Sequence, residues 1–172
     1  MPYEPWQPGM LLTQGRLASV SPTWQDWTPV WTTNGASTPS FGNAAILARY
    51  AVAARTVYFE MDFIFGSSTT FGSGTDNWRI STPVTAARTS NGCGSGEMQR
   101  ASAPGGYTNS PGTRQPLRIR LTTTGTFEFE MSGGNINAVN TSSGAGLIDA
   151  STPWTWESGS SLRAWGTYEA AA

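Results

Sequence analysis

Histidine and lysine are absent from the 172 residues, and cysteine occurs once, at Cys93. Without histidine the chain lacks the commonest general base and the commonest zinc ligand together. A serine or Cys93 nucleophile would therefore have no usual base beside it, and acyl transfer is not expected. One cysteine excludes an intrachain disulfide. Charge is scarce as well: 12% of residues, all the basic ones arginine, with a net charge of −1. Such a balance gives a phosphate backbone nothing to bind, so no nucleic-acid partner is expected. No apolar run approaches the roughly 18 residues of a membrane helix, and the first residues lack the charged, apolar, small-residue order of a signal peptide. The chain is expected to be soluble, with no membrane partner. Gly72-Ser73-Gly74 and the run Gly92 to Gly96 are not followed by Lys-Ser/Thr, so they do not read as phosphate loops. No Asp-x-Asp-x-Asp-Gly ladder for calcium is present. No metal, cofactor or catalytic residue is expected.

Aromatics, glycine and proline are abundant instead: aromatics make 12% of the chain, with eight Trp, 20 Gly and 11 Pro. That balance favours turn-rich all-β structure over disorder. The organising stretch is Val57 to Phe65. Val57, Phe59, Met61, Phe63 and Phe65 alternate with Tyr58, Glu60, Asp62 and Ile64, the period of a half-buried strand. Ala45–Ala51 precedes it as its hairpin partner, and Trp78–Ser81 follows after a small, polar loop at 67–77. Leu117 to Met131 forms a second hairpin. Pairing residues whose numbers sum to 248 sets Arg118 opposite Glu130, Arg120 opposite Glu128, Ile119 opposite Phe129 and Leu121 opposite Phe127. One register thus satisfies both faces. Trp27–Trp31 reads as an edge strand because of Pro29, Pro153–Trp156 as a short strand, and Ser161–Tyr168 as the last strand. Residues 85–115 read as flexible insertions around a short strand near Met98. Eight or nine short strands suggest an antiparallel β-sandwich, jelly-roll-like, over residues 23–172.

Residues 1–22 differ. Pro2, Pro5 and Pro8 recur every third position and favour extended backbone. Tyr3, Trp6, Met10, Leu11 and Leu12 are its apolar anchors, serving either a strand laid on the domain or an arm docked on a neighbouring subunit. The acid pairs Glu60 with Asp62 and Glu128 with Glu130 share strand faces. A glycosidase would need two carboxylates across a cleft, whereas arginines opposite Glu128 and Glu130 keep these ionised on a solvated face. Trp27, Trp31, Trp78, Trp154, Trp156 and Trp165 admit two readings, as platforms for sugar rings or as core and interface residues.

An ordered set of segments carries a resemblance. It comprises Trp27-Thr28-Pro29-Val30-Trp31, Gly42-Asn43, Arg49-Tyr50, the run Phe63 to Thr75, Trp78 to Val84, Pro153-Trp154-Thr155-Trp156, Gly159 with Leu162, and Gly166-Thr167-Tyr168-Glu169. Over residues 24–172 the chain resembles a β-domain of minor tail, tail-fibre and related virion proteins of phages that infect actinobacteria. The resemblance implies a virion-associated, non-enzymatic β-sandwich that assembles as a homotrimer. It also implies capsid or tail proteins as partners and, in some members, a host cell-surface glycan. The expected role is a structural or accessory virion protein anchored by residues 1–22. The alternative is a lectin-like carbohydrate-binding module acting through exposed tryptophans and the loops at 67–77 and 85–115.

Overall fold

A computed structural model describes residues 9–11, 13–15, 21–101, 114–131 and 146–172. Its strands are β1 (Gln25–Asp26), β2 (Trp31–Thr33), β3 (Ala45–Ala53), β4 (Thr56–Ile64), β5 (Trp78–Ser81), β6 (Ser90–Gln99), β7 (Arg114–Thr123), β8 (Thr126–Met131) and β9 (Ser161–Glu169). They form one antiparallel sheet in the order β1-β3-β4-β9-β6-β7-β8-β5-β2. The chain is therefore all-β, as its alternation implies. The pairing among the described strands is continuous, where the sequence suggests two separate sheets.

Curl supplies the second layer. Strands β4 and β8 are four places apart in the order, about 19 Å along a flat sheet. Yet the Phe59 and Phe127 rings sit 4.4 Å apart between centroids. The sheet bends until its two halves face each other across a shared core. Its outermost strands, β1 and β2, are consecutive in the chain, so residues 27–30 cross directly from one edge to the other. The Trp27 N–H donates to Ala48 O at 3.0 Å on the β3 side, and Val30 O accepts from the Ser81 N–H at 2.9 Å on the β5 side. The expected strand at Trp27–Trp31 is thus a bridge between edges, and only Trp31 continues into an edge strand. Pro29, having no N–H, suits a crossing segment better than a ladder.

The core is the inward side of the alternation. On β4, Val57, Phe59, Met61 and Phe63 are buried, and Phe65 continues the series beyond the strand. Register between β3 and β4 pairs Ala45 with Ile64 through to Ala53 with Thr56, the expected hairpin. At its turn Ala54 takes a left-handed φ of 53°. Strands β7 and β8 pair in the expected register, Arg118 with Glu130, Ile119 with Phe129, Arg120 with Glu128 and Leu121 with Phe127, before a bulge ahead of the turn.

Two further segments depart from the sequence reading. Asn91-Gly92-Cys93-Gly94-Ser95-Gly96 is no flexible insertion: it lies within β6, mid-sheet, between β9 and β7. Glycine is a poor strand former in general, but here its missing side chain is what the packing needs. A Cβ at Gly94 would stand 2.3 Å from Trp165 O, and one at Gly96 2.0 Å from Arg163 O. Pro153–Trp156 is a loop and not a strand. Asp149, buried, organises it: Oδ1 accepts from the N–H groups of Ser151 and Thr152, each at 2.7 Å. Trp156 then drops into the core and donates its indole N–H to Asp149 O at 3.0 Å.

Candidate interaction surface

Most of the described acidic side chains have partners. Asp76 accepts from the Ser37 N–H at 2.9 Å, and Asp149 caps its own loop. On the outward side of the sheet, Glu60 Oε2 receives Arg49 Nε at 3.1 Å and Nη2 at 2.9 Å. Asp62 Oδ2 receives Arg163 Nε at 3.0 Å. Arg118 pairs with Glu130, as its register requires. The neighbouring pair is redistributed: Arg120 lies opposite Glu128 in register, but its Nη1 turns to Glu130 Oε2 at 3.5 Å. Glu128 instead takes Arg79 Nε of β5 at 2.7 Å and is 3% exposed, not part of a solvated face. Its true partner arrives from a strand 49 residues earlier, which no hairpin rule anticipates. Among the described residues no group of three or more His, Cys, Asp or Glu is placed to hold a metal ion.

Cys93 and Tyr168 line a shallow cleft of about 200 Å³ where β6 leaves β9, together with Arg88, Ser90, Thr167 and Glu169. Burial pushes the Cys93 thiol up to about 12 and, despite the Val84 hydrogen bond, the Tyr168 phenol up to about 12. The Tyr168 hydroxyl donates to Val84 O at 2.6 Å and accepts from the Val84 N–H at 3.2 Å. Both groups are acids whose neutral form the fold favours. The stability they supply is complete below their ordinary values, 9.0 and 10.0, and is lost as pH climbs toward about 12. The urea midpoint should therefore fall across that alkaline window, and Tyr168→Phe should flatten its upper part. In the same window a native thiol reagent should label Cys93 far more slowly than it labels unfolded chain, since the thiolate is the nucleophile. Equal labelling rates, or a flat midpoint, would contradict the burial of this end of the sheet.

The tryptophans separate into two sets. Trp31 and Trp78 are buried, and Trp27 and Trp154 are half-buried against the core, so none of these four is an open platform. Trp156 is buried as well. Trp165, on the outward face of β9, is 52% exposed. Trp24, which the sequence reading does not single out, is 46% exposed and lies over Arg49, with the guanidinium carbon 5.0 Å from its ring centroid. Leu47, Tyr58 and Ile64 are exposed on the same outward face, so β3, β4 and β9 present an aromatic and aliphatic surface threaded with ion pairs. Of the arm anchors, Tyr3, Trp6 and Leu12 lie outside the described residues; Met10 is half-buried and Leu11 is 81% exposed.

The loops that carry the resemblance interlock. Asn43 Oδ1 accepts from the Ser68 N–H at 2.8 Å, and the Asn43 N–H donates to Ser68 Oγ at 2.9 Å. Thr69 Oγ1 donates to Phe41 O at 2.7 Å, and Ser40 pairs with Thr70 as an antiparallel bridge. Gly42 has a φ of +56°, and a Cβ there would meet Ser68 O at 2.2 Å. Those residue types are thus required by the contact between two loops, 40–43 and 66–70. No protein-family model, curated protein or solved structure matches the chain.

Proposed function

We propose that this chain is a non-enzymatic structural or accessory protein of a phage virion, of the minor-tail, fibre-like or capsid-decorating kind. Residues 1–22 anchor it to a capsid or tail neighbour, the domain assembles as a homotrimer, and the curled sheet stands outward. Its two facing walls serve as the layers of a sandwich-type module. The observation that carries the reading is the loop pair 40–43 and 66–70. Gly42, Asn43, Ser68 and Thr69, among the residues through which the chain resembles virion β-domains, lock these two loops together by side-chain to backbone bonds and a glycine contact. The commitment of acidic groups to arginines and backbone donors supports a body built to hold shape.

Removing residues 1–22 tests the anchor. The trimmed chain is expected to fold, with the same cooperative thermal transition as the full chain, and to be missing from purified particles by mass spectrometry. Particles that carry the trimmed chain at the usual level would overturn the anchoring role.

A further inference from the structure

A row of side chains on the outward face of the sheet is left unused by the packing. Register places Arg49 beside Glu60, Glu60 beside Trp165, and Trp165 beside Ser95. Trp24 closes the row by lying over Arg49. Two tryptophans thus stand half in water on either side of an arginine–glutamate pair. Trp165 and Arg49 are two strands apart, about 10 Å. Large apolar side chains gathered on an exposed face mark contact sites more often than chance surface.

Charge and area narrow the occupant. Arg49 is held by two bonds to one carboxylate oxygen of Glu60, and the next row repeats the arrangement with Asp62 and Arg163. The two pairs neutralise themselves, and Glu97, beside Arg163 in register, adds one acidic group to the face. A polyanion or polycation would have to break these pairs, whereas an uncharged polyhydroxyl ligand would not. Half-exposed, the two indoles offer together about 200 Å², and Leu47, Tyr58 and Ile64 on the same face bring the apolar total to roughly 500 Å², still short of the roughly 800 Å² per partner that a stable protein contact buries. A ring stacked on an indole through its C–H face would still find donors and acceptors in Arg49, Glu60 and Ser95.

We propose that Trp24, Arg49, Glu60, Trp165 and Ser95 form a binding face for a neutral glycan, with the two indoles as stacking platforms and the ion pair between them as the hydrogen-bonding centre. The site deepens the virion reading only in naming what an outward-standing domain would touch. It is tested on the purified full chain, without particles, so loss of one reading leaves the other standing.

The experiment is titration calorimetry of the full chain with neutral hexasaccharides of glucose, mannose and galactose, and with polygalacturonate as the anionic counterpart. At least one neutral sugar should bind and the polyanion should not. Trp165→Ala and Trp24→Ala should each weaken binding about tenfold or more, the scale of an interface hot spot. Leu47→Ser, on the same face but outside the row, should leave affinity unchanged. Thermal transitions of the three variants that match the parent establish that they are folded, and Trp165→Phe, which keeps a stacking ring, should recover part of the affinity. No binding to any of the neutral sugars would overturn the proposal. So would tighter binding of the polyanion, equal loss in Leu47→Ser, binding indifferent to both tryptophans, or a change in oligomeric state in Trp165→Ala that shows the face to be a contact between copies.

Discussion

Trp78→Ala should cost about 3–5 kcal/mol, the range for truncating a buried large aromatic. Trp78 is 2% exposed on β5 and lies at the centre of an aromatic cluster. Its ring stands edge-on to Trp31 at 4.6 Å, stacks on Phe71 at 6.1 Å and meets Trp156 at 4.8 Å. Its indole N–H donates to Phe71 O at 3.2 Å. Truncation opens a void that three rings on three separate segments cannot fill together. It also leaves the Phe71 carbonyl without that donor. The loss spreads to the edge, because β2 is three residues long and pairs only with β5 among the described strands. Urea denaturation followed by far-ultraviolet circular dichroism measures the effect. The midpoint should drop sharply, by a large share of the 5–15 kcal/mol typical of a domain. Trp165→Ala, at an exposed position, should stay within about 0.5 kcal/mol of the parent. A Trp78→Ala midpoint as close to the parent as that would mean the cluster is not the core.

The contrast between those two tryptophans lies in the alternation of their strands, although the sequence reading leaves both with the same two possibilities. Trp78 alternates with Ile80, and so falls inward; Trp165 alternates out of phase with Leu162, Ala164 and Tyr168, and so falls outward. Period-two phase decides burial wherever the strand is long enough to show it, which is why the β4 face and the β7–β8 register follow from residue order alone. Trp24 lacks that context. The strand beside it, β1, is two residues long, and two residues establish no phase. Glu128 fails for a different reason. Its phase correctly points it away from the core, but whether an outward residue is solvated depends on what covers the outer face. Here β5 brings Arg79 across from another part of the chain. The single sheet was illegible for a related reason: hairpins are local, whereas the β9 pairings with β4 and β6 join segments about 100 and 70 residues apart. Strand propensity alone misleads at the glycines of β6. Gly94, Gly96 and Met98 in fact repeat with period two on one side of the strand, beyond a register shift that sets Gly92 apart, and that signal outweighs glycine's low strand preference.

Gly166→Ala puts that bare side to the test and is expected to destabilise by about 3 kcal/mol, the upper end of the overpacking range. Gly166 of β9 faces Gly94 of β6 across the middle of the sheet. A methyl at 166 would lie 2.2 Å from Cys93 O and 2.6 Å from Gly94 Cα. Both are backbone atoms, so no rotamer change relieves the overlap; the strands themselves must part. They part at the seam between β9 and β6, where β1-β3-β4-β9 meets β6-β7-β8-β5-β2 among the described strands. Hydrogen exchange should therefore quicken along Gly94–Gln99 and Ser161–Gly166 before it does in the β3–β4 hairpin, whose ladder is separate. Gly94→Ala should act alike, since its methyl would meet Trp165 O at 2.3 Å. The two substitutions should not add, because either alone already opens the seam. Gly125→Ala is the control: a Cβ there meets nothing within 4 Å and the residue has no positive φ, so the change should be neutral or slightly stabilising through the unfolded chain. If Gly166→Ala matched Gly125→Ala in thermal midpoint and exchange, β6 and β9 would not be neighbours at this distance.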